Sequence, residues 1–208
     1  MARRKTTMSL EVFVVVNTGL SRVRNLVDLH DQLSEMVDDS TETQRSDVLR
    51  AATVLLHAVL EEFVRYVAAR VLPLSSAERL SSISLPGFPR GSKFTLGDLV
   101  AHRGITIDAL ISRSVEDDLR KRSFSSLAQV LGVLRDGGIQ LRERRVPAKT
   151  LQRLMERRHR IVHEADEVPE RRPADHAPRA ISRRQVNAWI RAVEQFVREV
   201  DRAWKDRR

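Results

Sequence analysis

The chain contains no cysteine. This excludes disulfides, zinc–thiolate clusters and cysteine nucleophiles, and it is compatible with a reducing cytoplasm, the expected location. Aromatic residues make up only 4% and glycines number only 8, whereas alanine, leucine, valine, arginine and glutamate are plentiful, which favours helices over a sheet sandwich. Long apolar runs are also missing. VFVVVNTGL, at 12–20, is far shorter than the roughly 20 residues of a membrane span. No small-residue cleavage site follows it at the right distance, so neither a membrane segment nor a secretory signal is expected. There is no P-loop, no G-x-G-x-x-G and no G-x-S-x-G turn, which leaves nucleotide-dependent chemistry and a serine hydrolase without support.

What is present fits one domain of 208 residues, all-α, with its own core. The formal charge is +9 and is unevenly placed: residues 1–102 hold 12 Lys/Arg against 12 Asp/Glu, and residues 103–208 hold 25 against 16. Clustered positive charge gains by displacing counterions from phosphates, so an anionic partner is one reading of the second half. A merely arginine-rich soluble protein is the other.

The apolar spacing suggests an N-terminal helical segment over about 9–37, starting after Gly19 or kinked there, with a strand at VFVVV as the alternative. A polar stretch, DDSTETQRSD, leads to the most hydrophobic segment, Val48–Leu72. Between Val48 and Leu60 its apolar residues lie on nearly all sides, as in a central helix, and Pro73 ends it. Residues 73–98 read as a long loop insert with one short helix, where Ser75 and Glu78 have capping-box spacing. Helices are expected over about 106–121 and 123–135, the second closed by Asp136-Gly137-Gly138. Pro147 suits the first turn of the next helix, and Pro169, Pro173 and Pro178 mark the loop after it. The last helix opens with Ser182 and Gln185 in a capping box and carries a stripe from Val186 to Trp204.

The helix after Pro147 contains MERRHRIVHEADE, residues 155–167. At about 100° per residue, Leu151, Leu154, Met155, Ile161, Val162 and Ala165 fall within an arc of roughly 120°, with Arg158 near its middle. An arginine there is either paired inside the fold or lines a cleft or interface, because an unpaired buried charge costs several kcal/mol or more. His159 and His163 stack along one edge of the arc, with Asp166 close by. Arg153, Arg157, Arg160 and Glu164 point to the polar side, where Glu156–Arg160 and Arg160–Glu164 have ion-pair spacing. The two histidines could hold zinc if Asp166, His176 or another helix completed the shell. The glutamate that a zinc protease uses as base is missing, so no metal and no cofactor is expected.

Arg158-His159-Arg160-Ile161-Val162-His163 resembles the R-x(4–6)-H signature of the HEPN superfamily. LQRLMER before it and LLHAVLEEFVRYV in the central helix resemble the helices around that motif in the RiboL-PSP type of HEPN domain. In helix order the resemblance covers a core of about 45–204. It implies an up-and-down bundle of about five main helices and a metal-independent endoribonuclease with Arg158 and His163 as catalytic residues. The RNA 2′-OH would be the nucleophile, giving 2′,3′-cyclic phosphate ends. An imidazole exchanges protons near neutral pH, and a guanidinium offers a permanent charge to the phosphorane oxygens.

Arg158 and His163 diverge by about 140° on an ideal helix, and motif helices of two HEPN protomers commonly meet, so a homodimer with a composite site is expected. His159 would orient the site or contact phosphate, and Glu61 or Glu62 would pair with Arg158. The RNA surface would come from Arg142, Arg144, Arg145, Lys149, Arg153, Arg157 and Arg160. HEPN toxins commonly work beside an antitoxin, which makes a toxin or antiviral effector the implied role. A non-catalytic helical module binding nucleic acid or a partner protein is the alternative.

Overall fold

The computed structural model describes residues 10–35, 41–88, 95–166 and 178–207. Among these the chain is an all-α bundle without strands, and no helix is long and apolar enough to cross a membrane. The helices are α1 (Leu10–Ser34), α2 (Thr41–Val71), the single turn α3 (Ala77–Leu80), α4 (Ile107–Lys121), α5 (Leu127–Asp136), α6 (Ala148–His163) and α7 (Arg183–Lys205).

α2 is the central helix. Leu49, Leu56, Leu60, Phe63, Val64 and Val67 are buried on it, and it packs against α1, α4, α5, α6 and α7. α1 is helical throughout, VFVVV included, and unbroken at Gly19. It buries Val12, Val16, Leu20, Val23 and Val27, a single stripe at steps of three and four that lies along α2. Gly19 lets the two helices approach, since a Cβ there would sit 2.5 Å from Val59 Cγ2. α7 packs on α1, α2 and α6: Val186, Ile190, Val193, Phe196, Val197 and Val200 are buried, and Phe196 meets Phe63 edge to face at 6.4 Å. Its Ser182–Gln185 capping box is formed in both directions.

Three boundaries differ from expectation. α2 begins at Thr41, inside the polar stretch, because its first two turns project beyond the core and need no apolar residues. α5 begins at Leu127 behind a second capping box, Ser126 with Gln129. In the 73–98 insert the cap of α3 is Ser76 rather than Ser75. The Ser75 hydroxyl donates instead to the Asp136 carbonyl, 2.9 Å away at the end of α5. Residues 89–94 of that insert lie outside the described residues, as do Pro169 and Pro173. Gly137 and Gly138 end α5 as expected, with Gly138 at φ 79° and the Ile139 N–H bonded to the Leu134 carbonyl.

Candidate active site

α6 carries the motif in its last turns and rests on α2, α5 and α7. Leu151, Leu154 and Met155 are buried as the apolar arc requires, but the arc turns as the helix ends: Arg157 is 6% exposed while Val162 is 46% exposed. Arg157 is therefore not part of a solvated RNA-binding face. Its Nη2 donates to Asp166 Oδ2 at 2.6 Å and to the carbonyls of Arg179 (2.7 Å) and Ala180 (3.2 Å). Arg50 of α2 joins the cluster, with Nε donating to the same Asp166 oxygen at 2.9 Å and Nη2 to the Arg179 carbonyl at 3.0 Å. Asp166 is wholly buried between two guanidinium groups, which removes it from any metal shell.

The cluster forms a corner just beyond His163. Ala165 and Asp166 both adopt left-handed backbone, at φ 49° and 60°, a conformation costing about 1 kcal/mol or more per non-glycine residue. The Asp166 N–H returns to the Arg160 carbonyl at 3.0 Å, and the Asp166 carbonyl accepts from Arg179 N at 2.9 Å. Asp166 thus ties together α2 and the end of α6 through its carboxylate and the entry to α7 through its backbone carbonyl. The second arginine of the pair is treated differently. Arg158 is half-buried and makes no hydrogen bond or ion pair among the described residues.

The expected pairing of Arg158 with Glu61 or Glu62 is not formed. Glu61 Oε1 accepts from Arg65 Nη2 at 2.8 Å and from the Phe124 N–H at 3.4 Å, while Arg65 also donates to the carbonyls of Leu119 and Arg122. Glu61 therefore fastens α2 to the α4–α5 connection. Glu62 is exposed. Arg158 and Glu61 instead act on a common neighbour, His57, which is 2% exposed. Burial, and then the Arg158 charge, hold the His57 pKa below the ordinary imidazole value, while Glu61 and a hydrogen bond with the Phe124 backbone oppose them.

A folded-state pKa below the unfolded one means that His57 binds its proton more readily in the unfolded chain. Stability is then complete above about pH 6.5 and falls as pH drops through that value, by up to about 1.4 kcal/mol per pH unit. Urea unfolding between pH 7.5 and 5.5 should show this slope, and His57→Gln should flatten it. An unchanged slope in that variant would assign the acid sensitivity to other groups.

His159 and His163 are both exposed, and their rings lie 4.7 Å apart at 44°. The stacked edge expected from i,i+4 spacing is therefore present. His159 Nε2 is 3.9 Å from Glu164 Oε1. Arg158 is half-buried, with its charge acting on His57 of α2, whereas His163 is exposed. Of the basic residues, Arg142, Arg144, Arg145, Lys149 and Arg153 are exposed and Arg160 is half-buried. Lys149, Arg153 and Arg160 fall within roughly 40° on α6, while Arg145 leans toward the buried Glu199 at 3.9 Å.

The expected pairs of Arg160 with Glu156 and Glu164 are absent among the described residues: Glu156 accepts from Gln152 at 3.0 Å, and Glu164 sits by His159. No group of three or more His, Cys, Asp or Glu residues suited to a metal occurs among the described residues, and His176 lies outside them. Neither Arg50 nor His57 figures in the sequence reading.

No curated protein and no solved structure matches the chain. The model of one family does match, over residues 17–206, which takes in α2, the motif helix α6 and α7. By that match the chain belongs to the RiboL-PSP-HEPN family.

Proposed function

We propose that this protein is a metal-independent endoribonuclease whose catalytic residues are Arg158 and His163. Family membership supports a nuclease-like or nucleic-acid-related module, and the state of the two arginines supports the finer reading. Arg157 is consumed by Asp166, whereas Arg158, next to it, has no counter-ion among the described residues. Keeping an unneutralised guanidinium half out of water is unfavourable for folding. It suits a group reserved for a phosphate.

The reaction follows from RNA's own chemistry. The 2′-OH attacks the adjacent phosphorus as its proton passes to an imidazole, Arg158 stabilises the oxygens of the crowded phosphorane, and the 5′ oxygen leaves with a proton. One His163 cannot readily serve both faces of the phosphate, and Arg158 and His163 of one chain diverge by about 140° on an ideal helix. Two copies of α6 meeting in a homodimer would supply both pairs, and exposed Val162, between them on the helix, would be covered. Lys149, Arg153 and Arg160, with Arg142, Arg144 and Arg145, would carry the RNA backbone, and His159 would orient His163. The role is that of a toxin or antiviral effector in the cytoplasm, restrained by an antitoxin protein.

The test is RNA cleavage by the purified protein in excess EDTA, with end-group analysis of the fragments and light scattering for mass. Products with 2′,3′-cyclic phosphate ends from a dimer are expected. Loss of cleavage in EDTA, or 3′-hydroxyl ends, would reject the mechanism. A folded protein that binds RNA in a salt-sensitive way yet cleaves none would establish the non-catalytic reading instead.

A further inference from the structure

A shallow cleft of about 380 Å³ runs beside the histidines, between the end of α6, the Ser125 turn and the segment before α7. Ser125, Met155, Glu156, His159, Arg160, Glu164 and Arg179 line it.

Three features of this wall indicate what it accepts. The first is Arg160, whose Nε is shielded from solvent and has no hydrogen-bond partner among the described residues. Carboxylates stand four residues before and after it, yet neither neutralises it, so the guanidinium is available to an anion. The second is the pair of carboxylates. Glu156 has one oxygen engaged by Gln152, at 3.0 Å, while Glu164 Oε1 has only a distant contact to His159, at 3.9 Å. Ionised carboxylates accept hydrogen bonds and donate none. The third is a face for a flat ring, the exposed His159 imidazole.

An anion, a flat ring and an edge rich in N–H groups together describe a nucleotide, and the two carboxylates, which only accept, discriminate among bases. Guanine presents two adjacent donors, N1–H and the N2 amino group, which match the two oxygens of one carboxylate. Adenine and cytosine place a ring acceptor beside their amino group, and uracil flanks its single donor with two carbonyls. Both arrangements set an acceptor against a carboxylate. We propose that this cleft is a guanosine-selective nucleotide subsite, with Arg160 on the phosphate and Glu164 on the base.

Because His159 belongs to the cleft and its ring is 4.7 Å from that of His163, the subsite would hold the nucleotide flanking the scissile phosphate. That placement rests on the ribonuclease reading. The binding itself does not.

The experiment is calorimetric titration of the full chain with guanosine 3′-monophosphate and with uridine 3′-monophosphate. Guanosine monophosphate should bind at least about fivefold more tightly, the low end expected of one bidentate contact to a base. Glu164→Gln should abolish that preference at an unchanged melting temperature, and Arg160→Gln should weaken both nucleotides alike. Equal affinities, or a guanosine preference that survives Glu164→Gln, would overturn the proposal. Selective binding without RNA cleavage would support the subsite while rejecting the ribonuclease reading. Cleavage without selective binding would do the opposite.

Discussion

Arg158→Ala and His163→Ala are each expected to lower RNA cleavage by at least about 100-fold, the scale of losing a general acid–base group or one transition-state donor. Folding should survive both changes. His163 is exposed, and Arg158 has no hydrogen bond or ion pair among the described residues, so stability effects near the ±0.5 kcal/mol typical of surface substitutions are expected. Arg158→Ala has a second signature, because it removes a charge that lowers the His57 pKa. That variant should lose less stability on acidification than the parent. His163→Ala should match the parent in this respect. Cleavage rates measured alongside circular dichroism separate the outcomes, and a folded variant that retains cleavage would strip its residue of the assigned role.

The largest loss of stability is expected at Asp166. Asparagine keeps the shape of the side chain and tolerates left-handed backbone, so Asp166→Asn isolates the charge. It leaves Arg50 and Arg157 buried without their shared counter-ion, a change of about 3–5 kcal/mol in comparable sites. For a chain of this size each kcal/mol moves the melting temperature by about 2–4 °C, so a fall of roughly 6–20 °C is expected in a thermal melt. Arg153→Ala, at an exposed position of the same helix, serves as the control and should shift it little. A melting temperature within about 2 °C of the parent in Asp166→Asn would contradict a buried cluster in solution.

The helices were legible where their signals are local. The α7 stripe, its capping box and the Gly137-Gly138 stop need only neighbouring residues to be read, and each is present. The start of α2 was not, because a helix end that meets no core carries no apolar period. At the candidate site the same division holds. The stacked edge of His159 and His163 follows from spacing alone. Which of two adjacent arginines is spent on the fold depends on Arg50, 116 positions before the aspartate it shares, and no periodicity encodes that. Glu61 fails for a related reason: a carboxylate on a central helix has several cations within reach, and Arg65, one turn away, takes it.

The valine–leucine stripe of α1 bears on where the protein could be cut. Although the motif, its central helix and the closing helix all lie from Thr41 onward, the wall formed by Val12, Val16, Leu20, Val23 and Val27 belongs to the same core as Leu56, Leu60 and Phe196. A fragment trimmed to the motif-bearing helices would carry an open apolar trench along α2, with Val59 no longer seated against Gly19. Such a surface promotes aggregation, so proteolytic release of the first helix would inactivate the protein without touching a single residue of the site.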